Sequence, residues 1–539
     1  MSLAQAPAAP AQRKGLEQKW KVLISVIFGI FMVILDTTVV NVAFPTLRAE
    51  FGASLNDSQW IISVYVLSLG ISTPLAGYLS DRFGMKQTYL SGLTIFAIGS
   101  LLCGFAPNLP LLIAARALQG FGGGIAIPLG AALLLRTFPV AEQGLALGVF
   151  GIAALVAPAV GPILGGFLVD QNLWRFIFFI NPPIGLLGVI LGSRFLPMLK
   201  ADRKPSFDFL GLITEVIGFG SMLYAASLAA NKGWTSPDVL VWFAIGGIGL
   251  IVFAVVELFI AKQPLLDLRL FSKRTFLNAS LLGYVSVIAL FGAEFLMPVY
   301  LQALRGKSAL ETGLILLPLA LSGGVATIVA GRLYDRLGPR PLVAFGFSVL
   351  IINTWQLSQL QADTPISWII LLLILRGLAL GSTVQTTFIT ALSVVPMKHV
   401  ARGSSLTNAT RQVVQSVGVA LLATILASTL SPQISALQQQ FTEMPKQSGA
   451  SIAICQAQPN GGGATATSAS GGAPAPLPPT AFSLIAEACK ENVAGFEKAY
   501  QFTFYAAFVA LALGLMLPGW PLKWAGRRAA DAPPQPAAH

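Results

Sequence analysis

Two charged residues of opposite sign lie inside apolar stretches that are long enough to cross a bilayer. Asp36 lies within residues 22–44, and Arg116 lies within residues 109–132. A carboxyl group inside such a stretch is costly and marks a functional candidate. Desolvation favours the protonated acid, whereas a nearby guanidinium or another cation favours the carboxylate. A site of this kind can exchange a proton for a cation.

The depths of these two residues are predicted to match. With a helical rise of about 1.5 Å per residue, Asp36 lies roughly 12 Å from one end of its stretch. Arg116 enters from the same side and lies roughly 10 Å deep on the same scale. The pair is interpreted either as a proton-coupling site or as a structural ion pair, and the sequence leaves both open.

Other polar side chains inside apolar stretches are candidates for lining a central cavity. One face of the thirteenth stretch carries them at three- and four-residue spacing, and Glu294 lies well inside the ninth. Polar residues in such stretches usually face a bundle interior or a watery cavity. The predicted cavity residues are Glu294, Asn41, Tyr65, Asn408, Arg411, Gln412 and Gln415.

Two further acids receive no functional assignment. Glu215 follows Asp208 by about two helical turns, and we expect it to snorkel or to pair along its own helix. Glu257 lies near the end of the eighth stretch, and we expect it to anchor that helix at the interface.

Fourteen predicted transmembrane helices carry these residues. The chain of 539 residues is 55% hydrophobic and 10% charged, against roughly 25% charged for a soluble domain. A span needs about 20 apolar residues, and its backbone groups must be paired internally, which favours helices. The predicted helices are 22–44, 58–78, 88–107, 109–132, 144–168, 175–197, 209–230, 237–260, 279–302, 311–331, 341–360, 366–390, 403–428 and 500–521.

One charged loop occurs twice, each time after the second apolar stretch of one half of the chain. Residues 77–86 and 331–340 both align as G-x-L-x-D-R-x-G, and Arg116 likewise has a counterpart in Arg376. Internal repeats around a central site are typical of secondary transporters. The loops are interpreted as a cytoplasmic gate, or as basic loops that only set topology. The gate residues would be Gly77, Asp81, Arg82, Gly84, Lys86, Gly331, Asp335, Arg336, Gly338 and Arg340.

The repeat predicts an all-α integral membrane protein with two pseudo-symmetric six-helix bundles and an accessory two-helix hairpin, a 6+2+6 plan. The N-terminal bundle is residues 22–197 and the C-terminal bundle is built from 279–430 with helix 14 at 500–521. The remaining predicted segments are a tail at 1–21, the accessory helices within 198–260, a loop at 261–278, a loop at 431–499 and a tail at 522–539.

The basic residues are distributed unevenly over the predicted loops. If residues 1–21 are cytoplasmic, that side holds 22 of the 34 Lys and Arg residues, and the opposite side holds eight. The positive-inside rule then places both termini in the cytoplasm of a multi-pass protein of the inner (plasma) membrane. The net charge of +12 therefore matches lipid headgroups rather than nucleic acid.

The predicted extracytoplasmic loop 431–499 has a low-complexity centre rich in Gly, Ala, Ser and Thr, with helical pieces expected near 433–443 and 480–498. It contains Cys455 and Cys489, on the side where disulfides persist. A Cys455–Cys489 bridge and two unpaired thiols both remain open.

Four motifs give the chain a resemblance to a known family. They are LDTTVVNVAFP at 35–45, RALQG at 116–120, APAVGPILGG at 157–166 and WRFIFFINPPIG at 174–185. Together with the repeated loop they resemble the major facilitator superfamily, in its fourteen-span drug/proton antiporter branch of the EmrB/QacA type. Phe44 stands where that branch more often has Leu. The resemblance covers roughly residues 20–430 and 500–521, and it says little about substrate.

The resemblance implies a function and further site residues. It implies a proton-driven multidrug efflux antiporter that exports amphipathic, often cationic compounds by alternating access; the alternative is a proton-coupled exporter of an endogenous metabolite, lipid or siderophore. In the family the fifth helix seals against leak and serves as a hinge, although packing alone is the other interpretation. The matching residues are Pro158, Gly161, Pro162, Gly165 and Gly166.

We expect no enzymatic activity, cofactor or metal site. The chain has only two histidines, and Gly306-Lys307-Ser308 lacks the earlier glycine of a phosphate-binding loop. The expected partners are small-molecule substrates, protons and membrane lipids, with no nucleic acid. An adaptor protein remains open, and the chain is expected to function as a monomer.

Overall fold

The computed structural model describes residues 17–198, 208–261, 263–429 and 479–519. Within these ranges the structure is helical and contains no β-strand. The long helices are α1 Gln18–Glu50, α2 Leu55–Phe83, α3 Met85–Phe105, α4 Leu109–Thr137, α5 Gln143–Asp170, α6 Asn181–Phe195, α7 Phe209–Lys232, α8 Pro237–Val255, α9 Arg274–Val299, α10 Ala309–Leu337, α11 Pro339–Leu357, α12 Ile366–Ser393, α13 Val400–Ala427 and α14 Pro479–Leu515.

Short helical segments extend or join several of these helices. The helix Phe176–Phe179 leads into α6, and π-helical turns at Val256–Ile260 and Tyr300–Leu304 extend α8 and α9. A 3₁₀ helix at Leu268–Ser272 lies between α8 and α9.

Twelve helical spans in the described part of the chain are long and apolar enough to cross a membrane. The two long helices outside that set are α9, with 26 residues, and α11, with 19. The prediction of an all-helical membrane protein is therefore confirmed, and the count of fourteen spans stays a prediction.

The last helix is much longer than predicted. It begins at Pro479 rather than at 500, so the helical piece expected near 480–498 is confirmed but is continuous with α14 instead of lying in a loop. The expected boundary is wrong because apolar length marks only the part of a helix that lies in hydrocarbon, whereas the helix continues into polar surroundings. The rest of the predicted loop, residues 431–478, lies outside the described residues, as do residues 1–16 of the predicted N-terminal tail and the whole predicted C-terminal tail 522–539.

The two halves of the chain repeat the same helix–helix contacts. In the first half, α4 packs against α2 and α3, and α1 packs against α4, α5 and α6. In the second half, α12 packs against α10 and α11, and α9 packs against α12, α13 and α14. The sequence repeat thus has a counterpart in the packing.

The halves meet along two interfaces, which we call the α5/α10 seam and the α2/α13 seam. At the α5/α10 seam, backbones approach closely along the length of the helices. A Cβ on Gly148 would lie 2.7 Å from the Thr327 carbonyl oxygen, and one on Gly313 would lie 2.7 Å from Ile163. Small residues permit this approach between membrane helices.

The accessory pair α7 and α8 packs beside the α2/α13 seam. Glycines bring the two helices together, since a Cβ on Gly218 would lie 2.9 Å from the Leu250 nitrogen. Helix α7 also contacts both α2 and α13. The Trp60 ring of α2 stacks on Tyr224 of α7 at 5.6 Å. The hairpin therefore touches both halves.

Candidate functional site

Asp36 and Arg116 form a buried ion pair between α1 and α4. The Arg116 Nη1 atom lies 2.6 Å from Asp36 Oδ2, and the two side chains are 1% and 0% exposed. Asp36 lies near the middle of α1, and Arg116 lies about two turns after the start of α4. The expected similarity in depth is therefore realised as a direct contact.

Two amides complete the surroundings of the Asp36 carboxylate. Gln119 Nε2, one turn after Arg116, donates to Asp36 Oδ1 at 2.8 Å. Asn181 Nδ2, from the start of α6, donates to the same oxygen at 2.8 Å and to Ser100 Oγ at 3.0 Å. Helices α1, α4 and α6 are thus joined through one carboxylate.

Sequence reasoning missed the roles of Gln119 and Asn181, although both lie within quoted motifs. The available signal was their polarity inside apolar stretches. Gln119 also lies three residues after Arg116, which puts both on one helix face.

Tyr65 belongs to this cluster rather than to an open cavity. Its side chain is 1% exposed, and its ring centre lies 4.0 Å from Arg116 Cζ in a cation–π contact. The Arg116 Nε atom donates to the Ile61 carbonyl at 3.2 Å. Helix α2 therefore holds the guanidinium from a second side.

The contacts around Asp36 depend on the charge of its carboxylate. A buried ion pair offsets its desolvation only when the remaining hydrogen bonds are satisfied, and removal of one partner leaves an uncompensated charge. Protonation of Asp36 would leave Arg116 with Gln119 Oε1, at 2.7 Å, and with Ile61. A proton on Asp36 would therefore weaken the connection between α1, α4 and α6.

The segment of α5 with the quoted motif contacts the helix that carries Asp36. A Cβ on Gly161 would lie 2.6 Å from Thr38 Cβ, and one on Gly165 would lie 3.2 Å from Val42 Cβ. Pro158 and Pro162 are inside the helix. On its other side, α5 faces α10, so this helix links the Asp36 region to the second half. Gly166 is buried on the same helix.

The predicted cavity residues of α13 do not all point the same way. Gln412 contacts α2, since its Cγ would lie 3.9 Å from a Cβ on Gly70. The Arg411 guanidinium lies 5.8 Å from the Phe388 ring of α12. Asn408 Nδ2 donates to the Ser404 carbonyl at 2.8 Å, and Gln415 is half-buried.

The remaining cavity candidates lie on α1 and α9. Asn41 is exposed on α1. Glu294 lies in α9, but its side chain is outside the described residues.

The two charged loops contact the opposite half of the molecule at one end of the bundle, here called the loop end. Arg402 Nε, in the first turn of α13, donates to Asp81 Oδ2 at 2.7 Å. The backbone N–H of Gly144, in the first turn of α5, donates to Asp335 Oδ1 at 3.1 Å. Arg136 Nε donates to the Met397 carbonyl at 3.1 Å. The halves are therefore closed against each other at the loop end.

Four glycines give the loops their shape. Gly84 and Gly338 have φ of 91° and 79°, which favours glycine, and each ends one helix and begins the next. Gly77 and Gly331 permit close approach. A Cβ on Gly77 would lie 3.1 Å from Arg402 Cα, and one on Gly331 would lie 2.9 Å from the Gly144 carbonyl carbon.

The basic residues of the loops make no contact between the halves among the bonds the structure describes. Arg82 donates to the Tyr78 hydroxyl at 2.7 Å, and Lys86 Nζ donates to the Ser193 carbonyl at 2.7 Å. Arg336 is exposed, and the Arg340 nitrogen donates to the Pro518 carbonyl at 3.4 Å.

Arg376, the counterpart of Arg116, donates to three neutral acceptors in the described part of the chain. Its Nη1 atom lies 3.4 Å from Asn353 Oδ1 and 3.3 Å from Thr354 Oγ1. Its Nη2 atom donates to the Ala289 carbonyl. The repeat therefore preserves a buried arginine in the fourth helix of each half.

Two expectations about single residues change. Glu215 is 0% exposed, and neither of its carboxyl oxygens has a hydrogen-bond partner among the described residues. The prediction that it snorkels or pairs is therefore wrong, because α7 is packed against α8, α2 and α13. Glu257 is also buried, at 1% exposed, rather than an interfacial anchor.

The cysteines are described only in part. Cys489 is disulfide-bonded, and Cys103 is free and buried. Cys455 lies outside the described residues, so the Cys455–Cys489 pairing stays a prediction.

Membrane-length helices in two repeated halves, with a buried ion pair inside the first half, are typical of a membrane transporter. The model of the Major Facilitator Superfamily matches residues 26–419. The chain belongs to this family of transporters.

Individual relatives agree with this assignment. The MFS-type transporter YhcA of Bacillus subtilis (strain 168) is 36% identical over 417 residues, which cover 77% of this chain and 78% of the relative. A "Multidrug resistance protein B homolog" of Mycobacterium tuberculosis (strain ATCC 25618 / H37Rv) is 32% identical over 394 residues, which cover 72% and 73%.

A solved structure supports the fold alone. The human organic anion transporter MFSD10 (TETRAN) superposes with a TM-score of 0.59 at 13% identity, covering 93% of this chain and 100% of that chain.

Proposed function

We propose that the protein is a proton-driven antiporter that exports amphipathic, often cationic compounds by alternating access. The observation that carries this proposal is the buried Asp36 carboxylate, paired with Arg116 at 2.6 Å and bonded to Gln119 and Asn181. An intramembrane acid held by three donors can lose its partner and bind a proton during the cycle. The name of the Mycobacterium relative, a multidrug resistance homologue, favours drugs as cargo.

The proton acts on the helices that meet at Asp36. Protonation removes the charge that draws Arg116, Gln119 and Asn181 together, so α4 and α6 are released from α1. Thr38, two residues along α1, packs on Gly161 of α5. Because α5 forms a seam with α10, movement of α1 reaches the second half.

The charged loops would form the cytoplasmic gate, and the structure would then represent a state that is closed to the cytoplasm. The positive-inside rule supports this orientation, with both termini in the cytoplasm and the chain in the plasma membrane. We further propose fourteen spans in a 6+2+6 plan of the EmrB/QacA type, acting as a monomer. The partly buried polar face of α13, with Glu294 and Asn41, would contact the cargo.

The test uses purified protein in liposomes with an imposed pH gradient. Asp36→Asn keeps the size of the side chain and one acceptor oxygen but cannot carry a proton. We expect pH-gradient-driven uptake of a lipophilic fluorescent cation to fall at least about 100-fold, within the range for loss of a buried ion-pair partner. The control is Asp363→Asn, which changes an exposed loop acid.

Two results would contradict the proposal. If Asp36→Asn supported uptake at the wild-type rate, Asp36 would not be the proton-coupling residue. Wild-type protein that moves no cation under any pH gradient, but exports a metabolite or lipid of its host, would favour the alternative cargo.

A further inference from the structure

Two carboxyl groups converge at the loop end of the accessory hairpin. Asp208 caps α7, where its Oδ1 accepts from the Gly211 nitrogen at 2.8 Å. Glu257, in the π-helical turn after α8, accepts from the Leu265 nitrogen at 3.2 Å. A Cβ on Gly211 would lie 2.5 Å from Asp208 Oδ2 and 2.9 Å from Glu257 Oε1. The two acids therefore border the same small space over Gly211.

A third acid faces this space and has no partner. Glu215 lies one turn after Gly211, so both are on the same face of α7. It is fully buried, and it interacts electrostatically with Glu257. In the described part of the chain, both Glu215 oxygens, Asp208 Oδ2 and Glu257 Oε2 are buried without a hydrogen-bond partner. We call Asp208, Glu215 and Glu257 the hairpin acids.

No described ion pair compensates the hairpin acids. The salt bridges of the described residues involve other groups, and none of the described acids and histidines forms a metal-binding group. The nearby Arg269 uses its Nη2 on the Leu258 carbonyl, at 3.2 Å. Among the described residues of neighbouring segments, Arg402 of α13 interacts electrostatically with Glu257. His399 lies near Arg402 and interacts with it and with Lys398, Asp81 and Asp267.

Arg402 connects the gate to the hairpin acids. Its Nε binds Asp81, and its Nη1 donates to the Pro264 carbonyl at 3.1 Å. The next residue, Leu265, donates its N–H to Glu257. Arg402 and Glu257 therefore bind the two ends of the same peptide group, the Pro264 carbonyl and the Leu265 N–H. The Arg402 charge itself is paired with Asp81.

We propose that Glu215 and Glu257 form a second proton-binding site, separate from Asp36, that empties when the Asp81–Arg402 contact opens. The proposal rests on the proton-driven cycle proposed above. A buried carboxylate without a countercharge is costly, so the group binds a proton instead. While Asp81 holds Arg402, Glu215 and Glu257 keep their proton. When the loop end opens, Arg402 is free to pair with Glu257, and the proton passes from the Glu257 carboxyl group to water at that end.

The first test counts protonated carboxyl groups by infrared spectroscopy on the purified full-length protein near neutral pH. We expect the band of protonated carboxylic acid to weaken in both Glu215→Gln and Glu257→Gln, each of which mimics the neutral acid in size. The control, Glu50→Gln, changes an exposed acid and should leave the band as in wild type. If Glu215→Gln does not fold, Glu257→Gln carries the test. A band that is unchanged in both variants would contradict the proposed proton-binding site.

The second test measures the link to the gate. Asp81→Asn frees Arg402, so the protonated-acid band should disappear at a pH at least about one unit lower than in wild type, which corresponds to one decade in proton affinity. Arg402→Gln should shift it in the opposite direction. If neither variant moves the transition, the connection to the gate is wrong. Neither test measures transport. A negative result here is therefore distinguishable from a failure of Asp36→Asn to abolish proton coupling.

Discussion

The two copies of the charged loop hold the halves together by different chemistry. Asp81 of the first copy forms an ion pair with Arg402 of α13 at 2.7 Å. Asp335 of the second copy accepts a neutral backbone N–H from Gly144 of α5 at 3.1 Å. Arg402 and Gly144 both lie in the first turn of their helices. The repeated motif therefore binds an arginine side chain at the α2/α13 seam and a backbone N–H at the α5/α10 seam.

The difference indicates that the seams have different tasks. At the α5/α10 seam, Gly144 and Gly331 bring the two backbones together, and close contacts continue to Gly313. Such an interface depends on shape and tolerates little separation. The α2/α13 seam is held at the loop end by a charge pair whose side chains are 12% and 23% exposed. We therefore expect the α2/α13 seam to open first and the α5/α10 seam to act as the axis.

The largest effect is expected from Gly331→Val, which inserts a branched side chain between two backbones. Overpacking of this kind costs about 1–3 kcal/mol, and here the neighbouring backbone cannot move aside. Thermal unfolding should shift to lower temperature, and transport should be lost. The control is Gly247→Val on α8, where an added Cβ meets nothing within 4 Å. Equal unfolding temperatures for the two variants would contradict the inference that the α5/α10 seam depends on close shape complementarity.

A smaller effect is expected from Arg402→Gln, which breaks the charge pair but leaves the helix packing intact. A hydrogen bond to a charged group contributes about 1.5–3 kcal/mol, so the opening equilibrium at the loop end should shift about tenfold or more. Labelling of a cysteine introduced at Ser80, which is 5% exposed, would report the opening.

The matched control for that variant is Arg336→Gln, because Arg336 is exposed in the other loop. The exchange of charges in Asp81→Arg with Arg402→Asp should restore part of the closed population. Labelling as slow as in wild type for Arg402→Gln would show that the charge pair does not hold this seam.

The smallest effect is expected from Asp335→Asn. The amide oxygen still accepts the Gly144 N–H, so transport should change by less than about threefold, as expected for a neutral replacement that keeps the bond. Asp335→Leu removes the acceptor and should cost more. Equal losses for Asp335→Asn and Arg402→Gln, measured in the same liposome assay, would mean that the two seams are held by the same kind of interaction.

The sequence predicted the repeated loops but not their partners. The loop glycines and acids were evident from the alignment of residues 77–86 with 331–340. Arg402 is 321 residues from Asp81, and nothing local distinguishes it from the other basic residues near helix ends. Partners that distant are fixed only when the halves dock.

The buried site was predictable only in part. Asp36 and Arg116 stood out because a charge in a span is costly. Asn181 did not, since a single amide before Pro182 is also consistent with a helix start. Glu215 was misinterpreted because periodicity along α7 does not reveal that α2, α8 and α13 together cover it.

The accessory hairpin has a consequence for molecules dissolved in the bilayer. If the halves rock against each other as proposed, each seam is a place where a lipophilic compound in the surrounding leaflet would enter the centre laterally. The α5/α10 seam is closed by its backbones. Beyond the α2/α13 seam stands α7, with Trp60 stacked on Tyr224 and with Trp234 of the α7–α8 connection bonded to Thr424 at 2.6 Å. The hairpin thus covers the α2/α13 seam, where it would block lateral entry from the bilayer.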